Sequence, residues 1–225
     1  SGLVKKTHLS AYSNPRRGGI IAINLDDDDR LITAKLTSGG DDIILAKRKG
    51  KAIRFKETDV RQMGRATRGV KGVTLDGDDE VVEMVVVRRT TELLAVTEYG
   101  YGKRTRISDF RNIKRGGKGV VCIPTEGRNG RLVKVMEVVA TDEVMMITHD
   151  GMIIRCPVKG ISLLGRPAKG VKLINLNEGD VVVDVARIAG DEENGGDGDV
   201  CGEVEPGDEA GGEPDTENGP EPGEY

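Results

Sequence analysis

The sequence has no tryptophan and only two phenylalanines and four tyrosines, so aromatic residues make up 3% of it. A core built on large rings is thereby excluded. Val, Ile and Leu dominate the apolar 36%, which favours β-branched packing. No apolar run approaches the length of a membrane span, and no charged-then-apolar leader opens the chain. There is no initiator methionine before Ser1-Gly2-Leu3, so the expectation is a segment of something longer. The two histidines, His8 and His149, have no Cys or Glu nearby at ligand spacing, and no metal site is assigned. Cys122, Cys156 and Cys201 are odd in number and form no CxxC pair; they read as buried or incidental thiols of a reducing compartment. No Ser, His and Asp set recurs in a telling frame. Tyr12, Tyr99 and Tyr101 lack a basic residue on their N-terminal side, so no catalytic residue is assigned.

What is present is charge, unevenly spread. Residues 190–225 hold 14 of the 38 acidic residues and no Lys or Arg. Residues 1–189 therefore carry all 34 basic residues and a surplus of ten positive charges. A basic body with an acidic tail points to a nucleic-acid or acidic-lipid partner, with a tail able to compete for the same surface. The tail is rich in Gly, Pro, Glu and Asp, and Val200, Cys201, Val204, Ala210 and the final Tyr225 are its only apolar residues. So little apolar surface cannot offset the entropy of ordering, and 190–225 is read as a disordered C-terminal tail.

The body repeats. Gly2, Gly50, Gly100 and Gly151 are evenly spaced, and each precedes a short apolar-basic strand. Four residues after each comes Lys6, Arg54, Arg104 or Arg155. Each strand leads on to Gly18, Gly69, Gly116 or Gly170, preceded by Arg17, Arg68, Arg115 or Lys169. Two residues beyond stands Ile20, Lys71, Lys118 or Lys172, so three copies read basic-Gly-x-Lys. An apolar strand, an acidic or Gly-rich turn and a second apolar run follow; in the first copy these are Ile20–Leu25, Asp26–Asp29 and Leu31–Leu36. A final strand closes the first three copies: 43–46, 93–96 and 144–147. About four strands in roughly 50 residues is the period of a β-propeller blade, and no stretch shows capped helical periodicity. The spacing predicts an all-β propeller domain over 1–189, with repeats at about 1–48, 49–98, 99–149 and 150–189. The fourth copy lacks a final strand and the first lacks the strand that would precede Ser1.

Equivalent positions of successive blades share a rim. Lys6, Arg54, Arg104 and Arg155, together with Arg17, Arg68, Arg115 and Lys169, are expected to form a positive belt. Arg16, Arg65, Lys103, Arg106, Lys114 and Arg166 thicken it. Such a belt suits the phosphates of a bent duplex, met by charge and shape instead of base edges. The candidate DNA-binding set is completed by Lys71, Lys172 and the stretch Lys114-Arg115-Gly116-Gly117-Lys118-Gly119. There, glycines permit positive φ and close backbone approach among three cations. A protein-interaction propeller binding an acidic partner is the second reading. The acidic turns do not fit EF-hand spacing and read as strand links.

Lys114–Gly119 resembles the Q-R-R-G-G-K-G "box" of the C-terminal domain of the DNA gyrase A protein, with Ile113 in place of the glutamine and Lys114 of the first arginine. Gly2-Leu3-Val4-Lys5-Lys6-Thr7, Met63-Gly64-Arg65-Ala66-Thr67 and Gly100-Tyr101-Gly102-Lys103-Arg104-Thr105 are similar to that domain too. The resemblance implies a six-bladed β-pinwheel whose neighbouring blades exchange strands and whose rim wraps duplex DNA in a chiral sense. It implies that the principal box lies on an earlier blade and that about four blades are present here. It also implies a bacterial, cytoplasmic, chromosome-associated enzyme in which a homodimer of the gyrase A breakage-reunion core joins gyrase B in an A2B2 assembly. ATP and magnesium are used on other domains, and no cofactor is expected in this segment. The C-terminal domain of the topoisomerase IV A protein is the close alternative.

Overall fold

Strand pairs in this protein start as hairpins whose turns end in glycine. The computed structural model describes residues 1–88 and 91–190. In chain order its strands are β1 (Leu3–Val4), β2 (Asp42–Lys47), β3 (Lys51–Lys56), β4 (Val70–Lys71) and β5 (Val81–Val87). There follow β6 (Glu92–Thr97), β7 (Tyr101–Arg106), β8 (Val120–Val121) and β9 (Leu132–Val138). The last are β10 (Glu143–Thr148), β11 (Ile153–Pro157), β12 (Val171–Lys172) and β13 (Val182–Ile188). Single 3-10 turns follow β3, β7 and β11, and there is no α-helix among the described residues.

The sheets are antiparallel, and all but the last borrow a strand from the next repeat. One runs β5-β2-β3-β8, a second β9-β6-β7-β12, and a third β13-β10-β11. The loaned strand β8 pairs Val121 with Lys51 and Val120 with Ala52, and β12 meets β7 in the same register. The first sheet is the pair β1-β4. Gly50 shows why the hairpin turn needs glycine. Its φ is +77°, and a Cβ there would run into the backbone carbonyl of Ile123 from the following repeat.

Successive sheets pack face to face through three apolar seams. Along β2, Ile43 and Leu45 face one seam while Ile44 and Ala46 face the next. Along β6, Leu93 and Ala95 point one way and Leu94 and Val96 the other. A strand covered on both faces has no polar side to show, hence the unbroken runs Ile-Ile-Leu-Ala and Leu-Leu-Ala-Val. The two phenylalanines, Phe55 and Phe110, are each fully buried in adjacent seams. Each such side chain contributes about 1.5–3 kcal/mol of burial.

Two expectations are corrected. Ile20–Leu25 and Leu31–Leu36 form no strand; between Lys5 and Asp41 the backbone makes only one isolated bridge, Lys6 to Gln62. In the other repeats the equivalent outer strand pairs with β2, β6 or β10, and Leu31–Leu36 meets no such strand among the described residues. An apolar pattern without a pairing partner does not become a strand. The loaned strands are also shorter than expected, two residues each. Beyond β4 the amides of Gly72 and Val73 both turn onto the carbonyl of Gly2, and those of Cys122 and Ile123 onto that of Gly50, which ends the ladder. The expected acidic tail lies, from residue 191 on, outside the described residues, as do Arg89 and Thr90.

Candidate nucleic-acid interface

The basic loops sit where a loaned strand enters its neighbour's sheet. Gly69, Gly119 and Gly170 have φ of +106°, +79° and +86°, and a Cβ on any of them would lie 2.5 Å from a carbonyl of the preceding repeat: Val4, Ala52 or Gly102. These three are therefore the equivalent glycines, at one constant interval beyond the hairpin glycines Gly50, Gly100 and Gly151. Gly116 does not occupy that position. In the first repeat the partner is Gly19, at φ +79°, not Gly18. The exposed cation before the glycine is thus Arg68, Lys118 or Lys169, and Arg115 belongs to another row.

That other row holds the repeats together. Arg65, Arg115 and Arg166 each donate through Nη1 to the carbonyl of Ile21, Lys71 and Val121 in the preceding repeat, at 3.3, 2.9 and 3.5 Å. Arg115 Nε adds a bond to the Asp59 carbonyl at 2.9 Å. The loop around it is pinned further. Gly116 N donates to Gly72 O at 2.6 Å, Thr74 N to Gly117 O at 2.9 Å, and Thr74 Oγ1 to Gly116 O at 2.6 Å.

A third row faces inward, except at Arg155, which is exposed. Arg54 Nε donates to Asp42 Oδ2 at 2.9 Å, and its Nη1 to the carbonyls of Ile107 and Phe110 in the next repeat at 2.9 and 3.2 Å. Arg104 does the same with Glu92 at 2.6 Å and Ile161 O at 2.6 Å. Lys6 reaches Glu57 O at 3.1 Å, and Arg155 pairs with Glu143 through Nε at 2.7 Å. Lys6, Arg54 and Arg104 are clamps between repeats, so the expected belt loses these members. Their donors are already directed at carbonyls and carboxylates that need them.

Lys103 is a correction of the same kind. It is fully buried, and its Nζ donates to Gly165 O at 2.7 Å and Arg166 O at 2.6 Å. Burial lowers its pKa to about 8, with the Arg166 charge acting the same way and Cys122 opposing. The adjacent Cys122 thiol is pushed up to about 12 by burial.

What remains on the surface is a reduced set of exposed cations: Arg68, Lys118 and Lys169 in one row, Lys71 and Lys172 two residues after the glycines, Lys114, Arg16 and Arg17, and Arg155. Arg106 is exposed at the end of β7. Sequence reasoning missed Arg61 and Arg111, exposed at equivalent loop positions before the pinned turn. Their separation by one full repeat was the available signal. Lys118 and Arg68 each meet a carboxylate of the preceding repeat, Asp76 Oδ1 at 3.2 Å and Asp26 Oδ1 at 2.8 Å. The acidic turns cap the hairpins: Asp79 Oδ1 accepts from Lys49 N at 3.0 Å and Asp180 Oδ1 from Asp150 N at 3.1 Å.

Antiparallel sheets that exchange strands and stack through apolar seams, with a cationic loop at each seam, define an all-β propeller of the strand-swapped, pinwheel kind. The chain belongs to the DNA gyrase C-terminal domain, beta-propeller, family, which matches residues 1–38, 41–88, 91–138 and 142–189. It is 60% identical over 187 residues to the DNA gyrase A protein of Halalkalibacterium halodurans, covering 83% of this chain and 22% of that protein. It is 43% identical over 189 residues to its Salmonella typhimurium counterpart, covering 84% and 22%. The chain thus spans about a fifth of these curated relatives. Among solved structures, the C-terminal domain of DNA topoisomerase IV superposes with a TM-score of 0.79 at 26% identity, over 84% of this chain and 59% of that one. The DNA gyrase A C-terminal domain gives 0.70 at 30% identity, over 76% and 58%.

Proposed function

We propose that the chain binds duplex DNA without sequence preference and wraps it in a chiral sense, as the C-terminal part of DNA gyrase A. The observation that carries this is the recurrence of Arg68, Lys118 and Lys169 at one structural position in successive repeats, exposed, with Lys71 and Lys172 beside them. A polyanion laid across consecutive seams meets the same cation each time. No base-reading element is needed for that, since phosphate contact alone supplies non-specific affinity. The parent enzyme is then a type II, ATP-dependent topoisomerase that introduces negative supercoils. Its partners are the gyrase A breakage-reunion core and gyrase B, its ATP and magnesium act on other domains, and its place is the bacterial cytoplasm. Among the described residues no helix is long and apolar enough to cross a membrane.

The fit to the topoisomerase IV domain keeps that relative as the second reading. One experiment tests both. Relaxed plasmid is incubated with the chain, treated with a nicking-closing enzyme, and resolved by topoisomer. Gyrase-like wrapping shifts the distribution to one sign in proportion to protein; duplex binding with no sign bias favours the topoisomerase IV reading. Absence of any duplex binding at about 50 mM salt, where phosphate contacts are strongest, rejects both.

A further inference from the structure

The turn Asp76-Gly77-Asp78-Asp79 of one repeat lies against the basic loop of the next. Asp76 Oδ1 is 3.2 Å from Lys118 Nζ, while Oδ2 is 3.5 Å from Lys51 Nζ and 3.6 Å from the buried Lys47 Nζ. One repeat earlier, Asp26 Oδ1 stands 2.8 Å from Arg68 Nη1. The two carboxylates are one repeat apart and so are the two cations, so the pairing is a property of the repeat. It is also held in place. Thr74, two residues before Asp76, fastens its amide and hydroxyl to the carbonyls of Gly117 and Gly116, the residues just before Lys118. The third cation of the row differs. Lys169 has no ion-pair partner among the described residues, and the corresponding turn, Glu126-Gly127-Arg128, carries a cation two residues beyond its carboxylate.

We propose that Asp76 and Asp26 occupy, in the free protein, the places that DNA phosphates take on Lys118 and Arg68, so that the duplex must replace an internal carboxylate at these two seams. The inference rests on the DNA-binding reading and adds a determinant of affinity to it. The pair is partly exposed, with Lys118 at 69% and Asp76 at 37% accessibility, which leaves the lysine within reach of a phosphate. An exposed pair of this kind is weak enough to be exchanged, yet each cation released from its partner is one more available to phosphate. At Lys169 no exchange is needed, so wrapping engages the fourth repeat more readily than the seams before it.

The test measures anisotropy of a labelled 40-base-pair duplex with the full chain across a salt series. Asp76→Asn is expected to tighten binding about three- to tenfold at low salt while leaving the log–log salt slope unchanged, because Lys118 meets phosphate in both proteins and only the exchange is spared. Asp78→Asn removes the same charge from the same turn without touching the box lysine; it pairs instead with Lys49 and Arg131. Its effect should stay below about twofold, as should that of Asp76→Asn in a Lys118→Gln background. Equal shifts from Asp76→Asn and Asp78→Asn, or an Asp76→Asn effect that survives Lys118→Gln, overturn the proposal. Asp26→Asn measured against Arg68→Gln repeats the test at the other seam should Asp76→Asn misfold. No binding by the unsubstituted chain rejects the DNA reading itself, and this inference falls with it.

Discussion

Lys103 shows how little a residue's type says about its use. It stands where the second and fourth repeats place Ile53 and Ile154, so the repeat alone marks the position as inward-facing. Its amine satisfies two loop carbonyls in return for a charge taken out of water. With a folded pKa of about 8 against 10.5 for the exposed group, the unfolded chain holds a proton between those values that the folded chain has released. Unfolding then takes up a proton, and stability rises with pH across that window; below pH 8 the cost of the buried charge is present in full. Urea unfolding at pH 7.5, 9 and 10 should show the wild type gaining stability relative to Lys103→Met over this range. Parallel pH profiles for the two proteins would reject the assignment.

At the scale of elements, the strands buried on both faces were legible because they stand in the sequence as unbroken apolar runs. The first repeat's strands were not, since Ile20–Leu36 has the same pattern but no ladder partner, and pairing is a non-local property. The same limit hid the clamps. Arg54 and Arg104 stand at evenly spaced basic positions, and nothing local reveals that their acceptors are carbonyls of the next repeat. The register of the box was legible in principle: the interval from hairpin glycine to loop glycine is constant for Gly69, Gly119 and Gly170, and broken by Gly116. The clamps carry a graded expectation. Arg104, 12% exposed, ties Glu92 to the carbonyls of Ile161 and Lys159, whereas Arg155, 61% exposed, pairs with Glu143 on its own sheet. Arg104→Ala leaves a half-buried carboxylate and carbonyls unpaired and should cost about 2–3 kcal/mol. Arg155→Ala should cost less than about 1 kcal/mol. Urea midpoints at unchanged m-value measure both, and equal losses would show that the seam contact adds nothing.

For the whole molecule, sorting the cations by what they already hold makes the salt dependence of DNA binding a structural readout. Clamps and seam arginines such as Arg54, Arg104 and Arg115 spend their donors inside the protein. Lys71, Lys114, Lys169 and Lys172 have no ion-pair partner among the described residues, and Lys118 has an exchangeable one. Counterion release counts only the cations that meet phosphate, at about 0.9 of slope each. Wild-type chain neutralising about six phosphates should give a log–log slope near −5. Replacing Lys118, Lys169 and Lys172 together by glutamine should flatten that slope by about 2.7 and weaken binding at every sequence alike. Arg54→Lys, which keeps a charge but cannot reproduce the clamp's fork, should lower stability and leave the slope of the folded protein unchanged. A slope that responds to Arg54→Lys and not to the three lysines would mean that DNA reads the inward row. That would restore the even belt that the sequence alone suggests, at the expense of the seam loops.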